Sequence, residues 1–581
     1  MTRAGLGRRQ ALIGGASAFA VAGSAQAQIL GRLRSAVPGT GFSVSGKPGP
    51  FLKQIAQRKI EPVSVRGDTG LGFSSGEFQA ARLSMPQTQA KIEALIEKLA
   101  AYWPYQKPPK VRVNMVGRGE YSPNALPDGT ISVPVGFLVR AESDDEIAFV
   151  IGHEYAHVAL GHFARNERLK TQRKIVTQAA QLYTSVISLS QIRLQQSGQQ
   201  ANLAVADRQK VEAAHAQASR SKDRLDWVLN NLVEPVWNRR QEDEADAIGF
   251  DLAQAAGYSP VDGAAAAFAR LNVDDQAKHA LVEQLQNQID QSIAAANTIN
   301  NRAALQRGDA VVFMTSFSRN LQSGLRDRAL RATETFLSAQ HRPPAERQKG
   351  IGDYAQFAYP QTALAEPKKK WLADVRATRE FTTARTAVAA LQQAQLARYD
   401  ARYADAETAI RKALATPYGS LPLFVNEAAR IARDKGDYRT AETQFSRADA
   451  HREQTFDGFR DHVLMCISTR AYPRARAVID AYTKRTGAVK EFWPQLIRIN
   501  FKDGHPDEAV KLLQRCVDNE EPELRQACAM NAYGPDDAEW DKLPDATKGN
   551  IRDASNKAAT RMSVGSGFGD LMKSLQGSAD K

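Results

Sequence analysis

The chain has 581 residues, enough for several domains, with 43% apolar residues and a formal net charge of +13. Its 77 basic and 64 acidic residues form no dense basic block, which argues against a nucleic-acid binder. The run Lys368-Lys369-Lys370 reads as a solvated linker.

Residues 1–27 hold Arg3, Arg8 and Arg9 and no acids, so the remainder carries +10. A short apolar run over 11–22 follows, then Ala25-Gln26-Ala27, the small-x-small pattern of a cleavage site. This reads as a cleavable export signal. Arg8-Arg9 resembles the twin-arginine type, and the expected compartment is a bacterial periplasm. Residues 28–75 are rich in Gly, Pro and Ser and read as an extended lead-in. Ile92, Leu95, Ile96 and Leu99 share one face of a helix over 87–102. Val111, Val113 and Met115 alternate as in a half-buried strand over 110–116. Residues 124–129 read as a turn, and Thr130, Ile131, Ser132 and Val133 as a second short strand. A strand placed just before a catalytic helix can offer its edge to an extended peptide, which makes these four residues the expected substrate strand.

The next helix carries His153-Glu154-Tyr155-Ala156-His157. Residues four apart on a helix lie on one face, so His153 and His157 can turn imidazole nitrogens onto one ion. Two neutral imidazoles suit zinc. Glu154 sits beside such an ion, where a carboxylate can take a proton from water and pass it to a leaving amine. Ser143 and Glu146 have capping-box spacing at the start of this helix, and its apolar residues point to burial on more than one side. The stretch over 166–237 reads as a long helical insertion. The uncharged segment 175–192 has too many Ser, Thr and Gln to span a bilayer, which leaves peripheral membrane contact open.

Residues 240–249 place Glu242 and Asp246 on one helical face, in a helix that stops at Gly257. Such a site needs a third protein ligand; Glu242 is the candidate and Glu244 its competitor. Asp246 is placed to accept a hydrogen bond from the outer nitrogen of a ligand histidine.

Together these residues resemble the gluzincin metallopeptidases of the HtpX, OMA and CAAX prenyl protease type. The match includes Asn124-Ala125 before the metal helix and the trailing His162. The resemblance implies that Glu242, four residues before Asp246, is the third ligand. It also places His341, in Ser338 to Arg347, near the cleft as an oxyanion or zinc contact, although Arg342 interrupts the usual His-Pro pair.

Downstream, Gly436-Asp437-Tyr438-x-x-Ala441 recurs at Ala475 and Ala509, a step of 34 residues taken twice, with a looser copy at Ala406. That is the tetratricopeptide period. Small alanines at a helix crossing let two helices approach, with the aromatic expected to pack beside them. An exported gluzincin followed by such repeats resembles the periplasmic BepA type. The expected fold is mainly α: a zinc peptidase domain of helices with a small sheet over 76–360, repeats over 376–540, and a flexible tail from 545. Cys516 and Cys528 can bridge in an oxidising compartment, or all three cysteines are buried small residues.

The function this implies is an exported zinc endopeptidase with one zinc per chain. Its partners would be unfolded or misassembled envelope proteins and, through the repeats, outer-membrane assembly machinery. Two alternatives stand beside it. One is a chaperone-like module whose site is latched by His162 or His341. The other is a zinc amidase of the cell wall.

Overall fold

The computed structural model describes residues 82–162 except 105–107 and 127, 239–274, 344–359, 368–519 except 488, and 542–564, together with isolated positions such as Phe51. The export signal, most of the lead-in, the 166–237 insertion and His341 lie outside the described residues.

A two-stranded ribbon, β1 (Phe73–Ser74) and β2 (Phe78–Gln79), precedes α1 (Pro86–Ala100). The buried face of α1 carries Ile92, Leu95, Ile96 and Leu99, as the spacing requires. A three-stranded sheet follows, from β3 (Arg112–Val116), β4 (Asn124–Ala125) and β5 (Thr130–Pro134), in the order β3-β5-β4. The strand β5 pairs parallel with β3 and antiparallel with β4, and all its residues are buried.

This corrects the expected substrate strand. Thr130, Ile131, Ser132 and Val133 form the central strand, so neither of its edges is open to a peptide. The outer strand on that side is Asn124–Ala125, where the sequence predicts a turn. Two residues are too few to show alternation. The reversal itself occupies 126–129, where Gly129 takes φ 79° and its N–H donates to the Leu126 carbonyl.

After the short α2 (Val135–Arg140) comes the metal helix α3 (Asp144–Ala159), all sixteen residues of which are buried. The Ser143 hydroxyl accepts from the Glu146 N–H at 3.1 Å, as in a capping box. The Glu146 carboxylate departs from that motif, accepting instead from Glu142 N, Tyr121 Oη and Arg270 Nε. The other first-turn acids are tethers as well. Asp145 accepts from Ser259 N and Lys368 N, both at 2.7 Å. Asp144 accepts from Trp371 N and Leu372 N, capping the start of α7 (Lys370–Arg376). The lysine run at 368–370 is therefore bound through its backbone to the first turn of the metal helix, although its side chains are exposed.

Against α3 packs α4 (Arg239–Ala255), which ends with Gly257 at φ 85°. The helices α5 (260–274) and α6 (Pro344–Ala358) complete this part. The repeat region contributes α8 (Arg379–Tyr399), α9 (Tyr403–Leu414), α10 (Pro422–Asp434), α11 (Tyr438–Asp449), α12 (Phe456–Ser468), α13 (Tyr472–Thr486), α14 (Trp493–Lys502) and α15 (Pro506–Val517). They pack in consecutive pairs, α8 with α9 through α14 with α15. Ala406, Ala441, Ala475 and Ala509 hold the same place in the second helix of each pair and are fully buried. The aromatic is less uniform: Tyr472 is partly buried against the cluster that holds Ala475, whereas Tyr438 is 47% exposed.

The turn inside each pair repeats too. Ala401, Gly436, Arg470 and Gly504 all take positive φ. In each, the following residue donates its N–H to the carbonyl five positions back, the bond that closes a Schellman cap. Two of these left-handed positions lack glycine. Ala401 is exposed, so Ala401→Gly loses no packing and should raise the unfolding free energy by about 1 kcal/mol. Urea denaturation checks this; an unchanged or lowered midpoint contradicts it.

The boundary expected near 360–376 does not divide the core. One buried apolar cluster runs from Leu83 through the metal helix to Phe424 and Ile431 in the repeat region. Further pairs build two smaller clusters. Residues 545–564, expected as a mobile tail, form α16 (Asp545–Val564), and Ile551 and Ala554 are buried against the last pair. Cys516 and Cys528 are joined as a disulfide within the same cluster. Among the described residues, no helix is long and apolar enough to cross a membrane.

Candidate metal centre

The crossing of α3 and α4 brings His153, His157 and Glu242 together, with one ligand atom from each within 4.8 Å of the others. The two histidine Nε2 atoms lie 3.0 Å apart. Glu242 Oε2 is 3.8 Å from His153 Nε2, and Glu242 Oε1 is 3.9 Å from His157 Nε2. Glu242 and His157 are fully buried. Two imidazoles and one carboxylate are a donor set that zinc takes in catalytic sites, with the fourth position left open.

The approach of the two helices depends on Gly152 and Gly249. A Cβ on Gly249 would stand 2.7 Å from the His153 backbone nitrogen and 3.0 Å from its Cα. We expect Gly249→Ala to push α4 off the metal helix and weaken zinc binding by roughly 10- to 100-fold, as disturbed ligand orientation typically does. Competition with a chromophoric chelator measures this, and unchanged affinity contradicts the close-approach argument.

Glu154 lies beside the cluster. Its Oε2 accepts from the Ala125 N–H at 2.7 Å, and its Oε1 is 4.0 Å from His153 Nε2. The short strand β4 thus holds the carboxylate that a proton carrier must present.

Each histidine has a partner on its outer nitrogen. His153 Nδ1 is 2.9 Å from Asp246 Oδ1. A proton on that nitrogen faces the carboxylate and leaves Nε2 for an ion. Burial opposes a charge on His153, but Asp246 outweighs it and raises the pKa of the ring. His157 Nδ1 is 2.8 Å from His162 Nδ1, and His162 Nε2 is 3.7 Å from Glu244. Donation of the His157 Nδ1 proton to His162 Nδ1 gives His157 the same tautomer, with Glu244 beyond hydrogen-bond distance on the far side of His162. Burial lowers the pKa of His162.

Glu244 faces His162, and Glu242 faces the paired histidines. His162 meets the outer nitrogen of His157, away from the two Nε2 atoms.

Arg347 is the functional residue that sequence reasoning missed. It is buried, donates to Asp246 through Nε at 2.9 Å and Nη2 at 2.7 Å, and places Nη1 3.0 Å from Glu242 Oε2. Burial works against the Asp246 charge, but Arg347 outweighs it and holds the carboxyl well below the usual carboxylate range. Burial also works against the charge on Arg347, but Asp246 and Glu242 outweigh it and hold the guanidinium far above its ordinary value. The available signal in the segment 338–347, besides His341, is an arginine at the fourth position of a helix that starts on the second of two prolines.

Fold and site together define a metallopeptidase-type domain, in which a His-Glu-x-x-His helix is crossed by a second helix bearing a glutamate. Residues 86–296, which include all three candidate ligands, match the model of peptidase family M48. The chain is 30% identical over 148 residues to Metalloprotease LoiP of Escherichia coli (strain K12), covering 25% of this chain and 46% of that protein. The chain thus spans about half the length of the curated relative it matches. Both comparisons support a metallopeptidase domain in this part of the chain.

Proposed function

We propose that this protein is a zinc-dependent endopeptidase of the bacterial envelope that cuts unfolded or misassembled proteins. The observation carrying this reading is the convergence of His153, His157 and Glu242 beside Glu154. The three ligand residues would hold zinc. A bound zinc supplies Lewis-acid polarisation of a peptide carbonyl and acidifies water at neutral pH. Glu154 accepts the proton of the attacking water and delivers it to the departing amine. Ala125 N–H aims that carboxylate, and Asp246 and His162 orient the rings.

Substrate backbone is best received at β4. Pairing of Asn124 with Ser132 and the bond from Leu126 N to the Thr130 carbonyl turn the Ala125 peptide groups away from β5; the Ala125 N–H is held by Glu154, which leaves its carbonyl to accept from an incoming strand. An extended strand added there meets the site by backbone hydrogen bonds and selects for unfolded chain over sequence. The paired helices with their recurring buried alanines fit tetratricopeptide-like repeats that gather such segments, consistent with the BepA-type organisation. The basic, cleavable-looking start of the chain supports export to the periplasm.

The test is cleavage of a denatured, envelope-type β-barrel protein by the purified full chain. Chelation should abolish cleavage and added zinc restore it. A protein holding zinc at His153 and His157 that leaves every unfolded polypeptide intact overturns the reading. Activity on peptidoglycan peptides alone would move the assignment to a cell-wall amidase.

A further inference from the structure

A second cluster of metal-type donors lies in the repeat region, away from the peptidase site. His462 and Cys466 stand four residues apart on α12, so one helical face presents both an imidazole and a thiol. Opposite them, Glu442 projects from α11, the second helix of the preceding pair. One donor atom from each lies within 4.8 Å of the other two, and His462 and Cys466 are buried.

The two oxygens of Glu442 have different work. Oε1 accepts from Arg474 Nε at 2.7 Å and Ser446 Oγ at 3.0 Å. Oε2 faces His462 Nε2 at 2.8 Å and Cys466 Sγ at 3.9 Å. The other ring nitrogen, His462 Nδ1, is 2.6 Å from Asp449. A carboxylate on the outer nitrogen fixes a ligand histidine in a zinc site, and it leaves Nε2 as the coordinating atom. Phe445 stacks on the ring with centroids 5.3 Å apart and holds its plane. The arrangement thus contains an oriented imidazole, a free thiol and a carboxylate oxygen around one point.

We propose that Glu442, His462 and Cys466 form a second zinc site that fastens one helix pair of the repeat region to the next. Thiolate, imidazole and carboxylate together favour zinc over hard cations, and three protein ligands leave a fourth position for water. The charges balance. Without the ion, a protonated His462 and Arg474 face Glu442 and Asp449. With it, the divalent ion replaces one proton from His462 and one from the Cys466 thiol, releasing two protons in all. Glu442 is half-buried, which gives the ion a route from solvent. The network is satisfied without metal, so the helices fold first and the ion then tightens α11 against α12. The site works as a zinc-dependent brace on the module proposed to bind substrate.

Cobalt substitution of the full-length protein tests this under non-reducing conditions. Cys466 is the free cysteine of the chain, Cys516 and Cys528 being bonded to each other, and the peptidase cluster holds no sulfur. A sulfur-to-cobalt charge-transfer band in the near ultraviolet therefore reports this site alone. The expected result is two equivalents of cobalt or zinc per chain and a clear band. Cys466→Ser should take one equivalent and lose the band, and His157→Ala should take one equivalent and keep it. Wild-type protein that loads a single equivalent with no band overturns the proposal, as does a band that survives in Cys466→Ser. Because the wild-type spectrum and the His157→Ala variant decide the matter, a poorly folded serine variant does not blunt the test. Loss of peptidase activity leaves the band untouched, which separates this proposal from the catalytic one.

Discussion

Glu154→Gln is expected to retain its zinc and lose peptide cleavage by about 10²- to 10⁴-fold, the usual contribution of a positioned general acid–base. The change is close to isosteric. A glutamine oxygen can still accept the Ala125 N–H that now holds Glu154 Oε2 at 2.7 Å, so the side chain should keep its place. It cannot take up a proton from water or return one to an amine. His153, His157 and Glu242 are untouched, so metal content by atomic absorption should equal that of the wild type. The informative result is the combination: full metal, full fold, almost no turnover. Retention of a tenth or more of the wild-type rate in a preparation free of other proteases would remove Glu154 from its assigned role.

The second large effect concerns Arg347. Its guanidinium spans Asp246, which orients His153, and Glu242, the candidate third ligand. Substitution by methionine keeps much of the volume but leaves two buried carboxylates facing each other without a cation. Removing one partner from a buried ionic network costs about 3–5 kcal/mol, because the remaining charge is stranded in a low-dielectric site. Arg347→Met should therefore lower the urea midpoint strongly in metal-free protein. Added zinc should recover part of the loss, since a cation at Glu242 replaces some of the missing positive charge. Arg347→Lys keeps the charge but lacks the planar fork that reaches both carboxylates, and it should fall between the two. A loss below about 1 kcal/mol in Arg347→Met would show that Arg347 does not hold the Asp246 and Glu242 carboxylates together.

Local patterns carried much of the site. His153 and His157 sit one turn apart whatever surrounds them, because the helix period places them so. Ser143 and the first-turn acids announced the start of that helix, and Gly257 the end of the next. The step of 34 or 35 residues was visible because Ala406, Ala441, Ala475 and Ala509 are small for one shared reason, burial at a helix crossing. The tyrosines beside them are a weaker signal: Tyr472 packs against the core but Tyr438 is exposed, so the alanine carries the constraint.

Other features had no local trace. Nothing in Asn124-Ala125 distinguishes a two-residue strand from a turn until Ser132 pairs with it, and that pairing took the edge away from residues 130–133. Lys368 looked like part of a linker because its charge is exposed, yet its peptide groups are bound to Asp144 and Asp145. The tail beyond 545 looked polar, and only its contact with the last helix pair shows why Ile551 and Ala554 are spaced as they are.

By itself the amino-acid order determined the chemistry available: two imidazoles and a proton carrier on one helix, an acidic face some ninety residues later, and a repeating helical period downstream. Periodicity within a segment is a property of the backbone, so it can be read without knowing the neighbours. Tertiary structure alone decided which glutamate meets the histidines, that Arg347 binds Glu242 and Asp246, and that the repeat helices share a core with the metal helix. Those outcomes depend on how closely Gly152 and Gly249 let two helices approach and on which buried charges then find partners. Distances between segments far apart in the chain are set by packing, which no single segment encodes.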